Sequence, residues 1–326
     1  MSKALKLYPL KFTPVLKSKI WGGDKLTSKF EKGPYKDGIG ESWELSGVSG
    51  SISEVQNGIL KGTNLQELLR SHGEDLLGKR VYKLYGEDFP LLVKFIDAKE
   101  DLSVQLHPDD KMAASHHNSF GKTEMWYIVD TNPDARLIIG FNRKMDKHLY
   151  RKNLSEGTLP ATLNSEEIKP GDAFFIAPGT VHAIGGGTLL AEIQQTSDIT
   201  YRIYDWDRPD VDGNMRELHT ELALKAIHYN APNARLDYED EENSIVKLCT
   251  SDYFETNKLK LTKPLHRDTS GLDSFRVYLC VDGDILIETH SDSVSLSAGE
   301  TVLIPACIDK IILKTASATL LEVYIP

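Results

Sequence analysis

The sequence is poor in cysteine and has no long hydrophobic run. Its three cysteines, Cys249, Cys280 and Cys307, form no CxxC pair. This argues against a disulfide framework or a thiolate zinc site and favours a reducing, cytoplasmic compartment. No window approaches the roughly 20 apolar residues that a membrane-spanning helix requires. The basic start is interrupted by Pro9 and Pro14 before the apolar segment of a secretion signal could form.

Positive charge is also in deficit. The 326 residues include 38 basic and 48 acidic side chains, a net charge of -10. This balance opposes any general affinity for nucleic acid or an anionic membrane, so an anionic ligand would need a locally basic pocket. The composition is otherwise that of a globular protein, and the length is compatible with one domain or two.

Most of the chain consists of short runs rich in Val, Ile, Leu, Phe and Tyr, separated by Gly, Pro, Asp and Asn. This pattern predicts a mainly β protein built as a sandwich or barrel. Helical spacing appears in three segments only, the first with Asn64 as N-cap and Glu67 three residues on. The predicted helices are 64–84, 144–159 and 217–227.

A weak internal repeat suggests how these strands are grouped. The segment IKPGDAFFIAPG at 168–179 resembles LSAGETVLIPAC at 296–307, and the Asp-Gly pair of CVDGDILIE at 280–288 predicts a hairpin turn just before the second copy. We therefore expect two jelly-roll β-barrel domains. The first spans residues 1–235 and carries the helical insertions, and the second spans residues 236–326.

Metal-ligating side chains recur in three predicted β-segments of the first domain. Gln105 and His107 stand two residues apart, as do Lys122 and Glu124, so each pair points to one face of a strand. His182 follows the Pro-Gly turn of GDAFFIAPGTVH. Two imidazoles, one carboxylate and an amide oxygen would suit Zn²⁺ or another first-row divalent ion.

Each of these residues alone has a simpler interpretation. A single histidine in a strand is more often a hydrogen-bonded structural residue, and Glu124 could be an edge-strand charge. Taken together, the residues favour a metal site, because GDxxxIxPGxxH resembles the second metal motif of cupins, a jelly-roll family. The first cupin motif matches less well, since Gln105 stands where many cupins have histidine.

The glutamine at position 105, together with several other motifs, resembles the pattern of type I mannose-6-phosphate isomerases. The matching runs are WGG at 21–23, GESWELS at 40–46, VQLHPDD at 104–110, GKTEMWYI at 121–128, APGTVHAIGGG at 177–187 and EIQQTSDITYRIYDWDR at 192–208. They follow the order found in that family and extend over the first two thirds of the chain. The total length is similar to that of the short bacterial members.

The resemblance implies reversible isomerisation of mannose 6-phosphate and fructose 6-phosphate, with a proton moving between C2 and C1 through a cis-enediol. It also implies one divalent metal ion, most simply zinc. The ligands would be Gln105, His107, Glu124 and His182, with Gln105 the least certain.

The same resemblance makes Arg202 an active-site arginine. Lys122, on the same face as Glu124, is the next candidate for a substrate contact. The alternatives are a surface salt bridge of Arg202 to Asp205 or Asp207, and an exposed strand lysine at position 122. The C-terminal copy has Asp309 and Lys310 where a histidine would be needed, so we expect no metal there.

Several questions stay open from the sequence. The base that moves the proton could be Lys122, Glu192, Asp198 or a metal-bound water. An Fe(II)-dependent cupin oxygenase uses a similar ligand set. A non-catalytic sugar-binding cupin would bind without turnover, and the archaeal cupin glucose-6-phosphate isomerases have a different HxH pattern.

Overall fold

A computed structural model describes residues 6–210, 212–230 and 233–326, and the protein is mainly β. The chain forms two compact units. Among the described residues, we call those in 16–42 and 94–236 the central unit, and those in 6–15, 43–93 and 237–326 the terminal unit. None of the described helices is both long and apolar enough to cross a membrane.

The helices are few and short. They are α1 (Lys25–Ser28), α2 (Leu65–Leu77), α3 (Lys79–Tyr85), α4 (Asp110–His117), α5 (Lys147–Ser155) and α6 (Thr220–Ala226), with one 3₁₀ turn at Leu159–Thr162.

The strands of the described residues fall into three sheets. Those before residue 240 are β1 (Val15–Gly23), β2 (Ile39–Leu45), β3 (Leu91–Ala98), β4 (Val104–Leu106), β5 (Glu124–Thr131), β6 (Arg136–Phe141), β7 (Leu163–Glu167), β8 (Ala173–Ile176), β9 (His182–Ile184), β10 (Thr188–Gln195), β11 (Tyr201–Tyr204) and β12 (Arg235–Leu236). The later strands are β13 (Val246–Thr250), β14 (Glu255–Leu261), β15 (Leu265–Asp268), β16 (Arg276–Glu288), β17 (Ser293–Ser297), β18 (Thr301–Ile304), β19 (Lys310–Lys314) and β20 (Ala318–Tyr324).

Two sheets build the core of the central unit. One has seven strands in the order β1-β2-β3-β10-β5-β8-β12, and the other has five in the order β11-β4-β9-β6-β7. Their facing side chains form one apolar cluster, to which Trp126 and Phe174 contribute from the first sheet and Ile139 and Ile184 from the second. This inter-sheet space is where inward-pointing residues of both sheets meet.

The outer face of the five-stranded sheet is covered separately. Val104, Leu106 and Tyr201 alternate with inward-facing neighbours and join a second apolar cluster with Ala223 of α6. Because successive strand residues point to opposite faces, Gln105, His107 and Arg202 are left facing the inter-sheet space. The alternation along β4 and β11 thus decides which residues can reach a site between the sheets.

The C-terminal strands form an eight-stranded sheet within the terminal unit. The predicted hairpin at Asp282-Gly283 is wrong, because β16 runs through it from Arg276 to Glu288. Its pairing with β20 shifts register between Cys280 and Asp282, and Gly283 has φ +76. The Asp-Gly pair therefore makes a bulge that lets one long strand bend, not a turn that ends it.

The predicted helices are present, although shorter than expected. Asn64 and Glu67 make the predicted capping box of α2, but Gly78, with φ 89, separates α2 from α3. Segments 144–159 and 217–227 contract to α5 and α6. Helix α4 was not predicted; the Asp109 carboxylate caps its start by accepting from the amide of Met112.

The predicted domain boundary lies near one of the four points where the chain passes between the two compact units. The boundary at 235–236 lies beside one point where the chain passes between units, after Leu236. It also passes between them after Val15, Ser42 and Val93, which the sequence did not indicate. The mainly β prediction is confirmed. No sheet closes into a barrel among the described residues, so two jelly-roll barrels remain a prediction.

Candidate metal centre and active site

Strand register gathers four of the predicted residues on one face. Arg202 of β11 lies opposite Gln105 of β4, and Gln105 lies opposite His182 of β9. Residues directly opposite in a ladder project to the same side, and His107 stands two residues after Gln105. All four therefore lie on the side of the sheet that faces the inter-sheet space.

Glu124 reaches the same place from the seven-stranded sheet. As the first residue of β5, it puts Oε1 3.4 Å from His107 Nε2 and Oε2 3.7 Å from His182 Nε2. One ligand atom from each of these three residues lies within 4.8 Å of the others, and all three side chains are buried. This is the separation expected of side chains that share one metal ion.

Backbone carbonyls fix the orientation of both imidazoles. His107 Nδ1 is 2.8 Å from the carbonyl oxygen of Ile199, and His182 Nδ1 is 2.9 Å from that of Thr180. A carbonyl can only accept, so Nδ1 carries the proton and Nε2 keeps its lone pair, as in histidine ligands of metals. His182 Nε2 has no hydrogen-bond partner among the described residues despite its burial. This donor set fits a divalent metal ion.

The surroundings keep the ligands in the state that binds a cation. Burial, together with the charge of Lys122, lowers the pKa of His107 well below 6.5. Burial also lowers the pKa of His182, against the opposing effect of Glu124. Burial alone would raise the pKa of Glu124, but the charge of Lys122 and its hydrogen bond to the carboxylate act in the opposite direction, and the pKa falls. Neutral imidazoles and an ionised carboxylate result.

Lys122 lies beside this group. The interpretation as an exposed strand lysine is wrong, because its side chain is only 6% exposed and it precedes β5. Its ammonium is 2.6 Å from Glu124 Oε1 and 3.1 Å from His107 Nε2. A buried cation at this distance can donate to an oxygen of a molecule held at the site.

Arg202 and Gln105 are less buried than the three clustered side chains. Arg202 donates from Nη1 to the carbonyl of Glu217, at 2.9 Å. The predicted alternative of a salt bridge with Asp205 or Asp207 is not realised in the described structure, where Asp205 binds Arg216 and Arg208, and Asp207 accepts from Tyr204. Gln105 Oε1 accepts from Ser103 Oγ at 3.4 Å.

The sequence analysis missed a buried polar network on the face of β5 that carries Glu124. Lys94 donates to Glu192 Oε2 at 2.8 Å and to Gln194 Oε1 at 2.7 Å, and Trp126 Nε1 donates to Glu192 Oε1 at 2.9 Å. In the β5–β10 ladder, Glu192 pairs with Trp126 and Gln194 with Glu124. A lone lysine inside the apolar run PLLVKFI was the available signal, because a buried lysine needs partners.

Comparison with known families decides the classification. The family described as phosphomannose isomerase type I, catalytic domain, matches residues 9–140, and the mannose-6-phosphate isomerase cupin domain matches residues 244–325. The sequence is 37% identical to the probable mannose-6-phosphate isomerase GmuF of Bacillus subtilis, over 92% of this chain and 94% of the relative. The chain belongs to the type I phosphomannose isomerase family. Members of this family depend on a metal ion.

Other relatives agree with that membership. Mannose-6-phosphate isomerase ManA of Bacillus subtilis is 41% identical, over 78% of this chain and 80% of the relative. The crystal structure of a Bacillus subtilis mannose 6-phosphate isomerase superposes with a TM-score of 0.88 at 32% identity, covering 97% of this chain and 99% of the other. His107 and Glu124 lie within the region matched by the type I catalytic domain.

Proposed function

We propose that the protein interconverts mannose 6-phosphate and fructose 6-phosphate with the help of one bound zinc ion. The observation that carries this proposal is the buried convergence of His107, Glu124 and His182 from two facing sheets. The reaction is inferred from the family to which the chain belongs. The location of the active site is inferred from the three clustered side chains. Two histidines and one carboxylate are a common catalytic zinc set, which leaves a position for substrate.

The ligands of the ion are part of the proposal. His107, Glu124 and His182 would hold it, and Gln105, opposite His182 in the ladder, would be a fourth through its amide oxygen. When bound, a divalent ion would supply positive charge that stabilises the negative charge developing on the substrate as the proton leaves carbon.

Two side chains of the protein, Lys122 and Arg202, would contact the substrate directly. Lys122, held by Glu124, donates hydrogen bonds to a substrate oxygen close to the ligands. Arg202, on the same face as His182, offers its guanidinium to an enediolate or phosphate oxygen. The buried setting of the cluster excludes bulk water and strengthens these interactions.

The surroundings of Glu192, Asp198 and Lys122 bear on which of these side chains exchanges a proton with the substrate. Both oxygens of Glu192 are occupied, one by Lys94 and one by Trp126, and Asp198 is exposed. Lys122 is the candidate side chain that lies beside the ligand cluster. We therefore favour Lys122, over Glu192 or Asp198, as the side chain that donates a proton to a substrate oxygen.

The remaining parts of the proposal follow from the family. The catalytic domain would be the N-terminal one, and the C-terminal domain would pack beside it without a metal. The substrate would be a small sugar phosphate, and the location cytoplasmic. An Fe(II) oxygenase and a non-catalytic sugar-binding cupin are not favoured by the relatives.

The test is a coupled assay for fructose 6-phosphate formed from mannose 6-phosphate, with glucose 6-phosphate as the specificity control. Protein stripped by a chelator, and checked by elemental analysis, should lose turnover and regain it with Zn²⁺, Mn²⁺ or Co²⁺. Full turnover by metal-free protein would reject the metal-dependent mechanism. Oxygen consumption in place of isomerisation would favour the oxygenase.

A further inference from the structure

Arg202 is held in place by a segment that lies 14 to 17 residues further along the chain. Its Nη1 donates to the carbonyl of Glu217, at 2.9 Å. Its backbone exchanges two hydrogen bonds with His219: the amide of Arg202 donates to His219 Nδ1, at 3.1 Å, and the amide of His219 donates to the carbonyl of Arg202, at 2.7 Å. Arg202 Nε is buried and has no hydrogen-bond partner in the described structure.

Asp205 anchors that segment. Its carboxylate accepts from Nε and Nη2 of Arg216, at 2.6 and 2.5 Å, which is the bidentate geometry of a strong arginine–carboxylate pair. Arg208 Nη2 is a third donor, at 3.3 Å. The side chain of Asp205 is only 4% exposed, whereas that of Arg216 is 21% exposed. A buried carboxylate with this many charged donors is costly to disturb.

The backbone around Asp205 is also constrained. Trp206 and Asp207 follow it with φ of 58 and 50, in the left-handed region that non-glycine residues seldom occupy. Trp206 Nε1 donates to the carbonyl of Leu102 at 2.7 Å, and Tyr204 donates to Asp207 at 3.0 Å. Such strain persists where surrounding contacts fix it, and it is concentrated at functional sites.

The charge of Asp205 also acts on the arginines around it. Arg208 and Arg216 lie close enough to Arg202 to lower its pKa, after the larger effect of burial, and Asp205 opposes them. Without the carboxylate, three guanidinium groups would share this region, and their repulsion would drive the side chains apart. The negative charge of Asp205 therefore offsets the repulsion of Arg202 by Arg208 and Arg216, and so helps to keep Arg202 in position.

We infer that Asp205 is a positioning residue for Arg202, acting through Arg216 and the carbonyl of Glu217. This inference rests on the proposed function, in which the Arg202 guanidinium contacts the sugar phosphate. Asp205 itself touches no substrate. Its removal should affect turnover only while an arginine stands at position 202.

The experiment is a double-mutant cycle of Asp205→Asn and Arg202→Lys in the metal-loaded protein. Asp205→Asn should lower kcat/KM for mannose 6-phosphate by roughly 10- to 100-fold, the range that displacement of a catalytic group by about 1 Å can produce. Arg202→Lys should lower it as well. The double variant should be no worse than Arg202→Lys by more than about twofold, because the two residues act as one unit.

Two further variants keep the test decisive. Glu221→Gln breaks an exposed pair with Arg151 in the same unit, 3.3 Å apart, and should leave kcat/KM unchanged. If Asp205→Asn does not fold, Arg216→Lys removes the bidentate contact but keeps the charge, and takes its place in the cycle. Metal content and the unfolding midpoint are measured for every variant.

The outcomes separate the two proposals. Losses that multiply in the double variant would mean that Asp205 acts independently of Arg202, and would overturn the inference while leaving the isomerase intact. The same holds if Asp205→Asn is as active as wild type. A wild-type protein that does not isomerise mannose 6-phosphate would reject both proposals.

Discussion

Replacing Lys94 by methionine would measure what a buried ion pair costs when it is broken. Lys94 and Glu192 are 7% and 4% exposed, with 2.8 Å between Nζ and Oε2. Burial alone would lower the pKa of Lys94, but Glu192 and other nearby carboxylates outweigh it and raise the pKa, so the lysine is charged at neutral pH. Lys94→Met would remove one of the two side-chain donors described for Glu192 and leave Trp126 Nε1 as the other.

The expected loss is about 3 to 5 kcal/mol of unfolding free energy, the range for removing one partner of a buried pair. The matched control is Lys99→Met. Lys99 pairs with Asp37 at a similar 3.0 Å, but the two side chains are 59% and 56% exposed. Water and salt screen an exposed pair, so the control should be nearly neutral.

The assay is urea unfolding followed by tryptophan fluorescence, with all proteins at the same metal content. The double variant Lys94→Met/Glu192→Gln should recover most of the loss, because a neutral amide at 192 still accepts from Trp126 and needs no cation. Equal losses for Lys94→Met and Lys99→Met would refute the argument that burial decides the cost. Failure of the double variant to recover would refute the argument from the unpaired charge.

Two further predictions concern other parts of the central unit. Burial raises the pKa of Asp97 from 3.8 to about 6, so the folded protein binds a proton that the unfolded chain releases. The contribution of Asp97 to stability should therefore rise as the pH falls from 7 to 4. Relative to Asp97→Asn, wild type should gain about 2 kcal/mol in unfolding free energy between those two pH values, and parallel pH profiles would contradict this. Arg202→Ala and Lys122→Ala should each depress turnover while elemental analysis still finds one metal ion, because neither residue is a proposed ligand. Unchanged turnover would remove that residue from the proposed site.

The sequence indicated the candidate metal-site residues because ligand chemistry is local. QxH, KxE and a histidine after a Pro-Gly turn each require particular residue types at short spacing, and strand alternation then sets their direction. The mainly β character followed equally directly from short apolar runs and turn residues. The capping box at Asn64 was predicted for the same reason, since both partners lie within four residues.

The partners of these residues could not be predicted, because they depend on which strands become neighbours. Glu192 and Lys94 are 98 residues apart, and nothing near either residue indicates the other. The Asp-Gly pair at 282–283 has the local chemistry of a hairpin, yet pairing of β16 with β17, β18, β19 and β20 keeps it inside one strand. Long-range pairing overrode a local preference there.

The sequence by itself thus determined which side chains can bind a cation and which face of each strand they occupy. Only the tertiary structure decided that Glu124 comes to His107 and His182 from a facing sheet, that Lys122 is buried beside them, and that Asp205 holds Arg216 and not Arg202. The physical reason is that side-chain direction is a local property of the backbone. Distance between strands is set by the packing of the whole core.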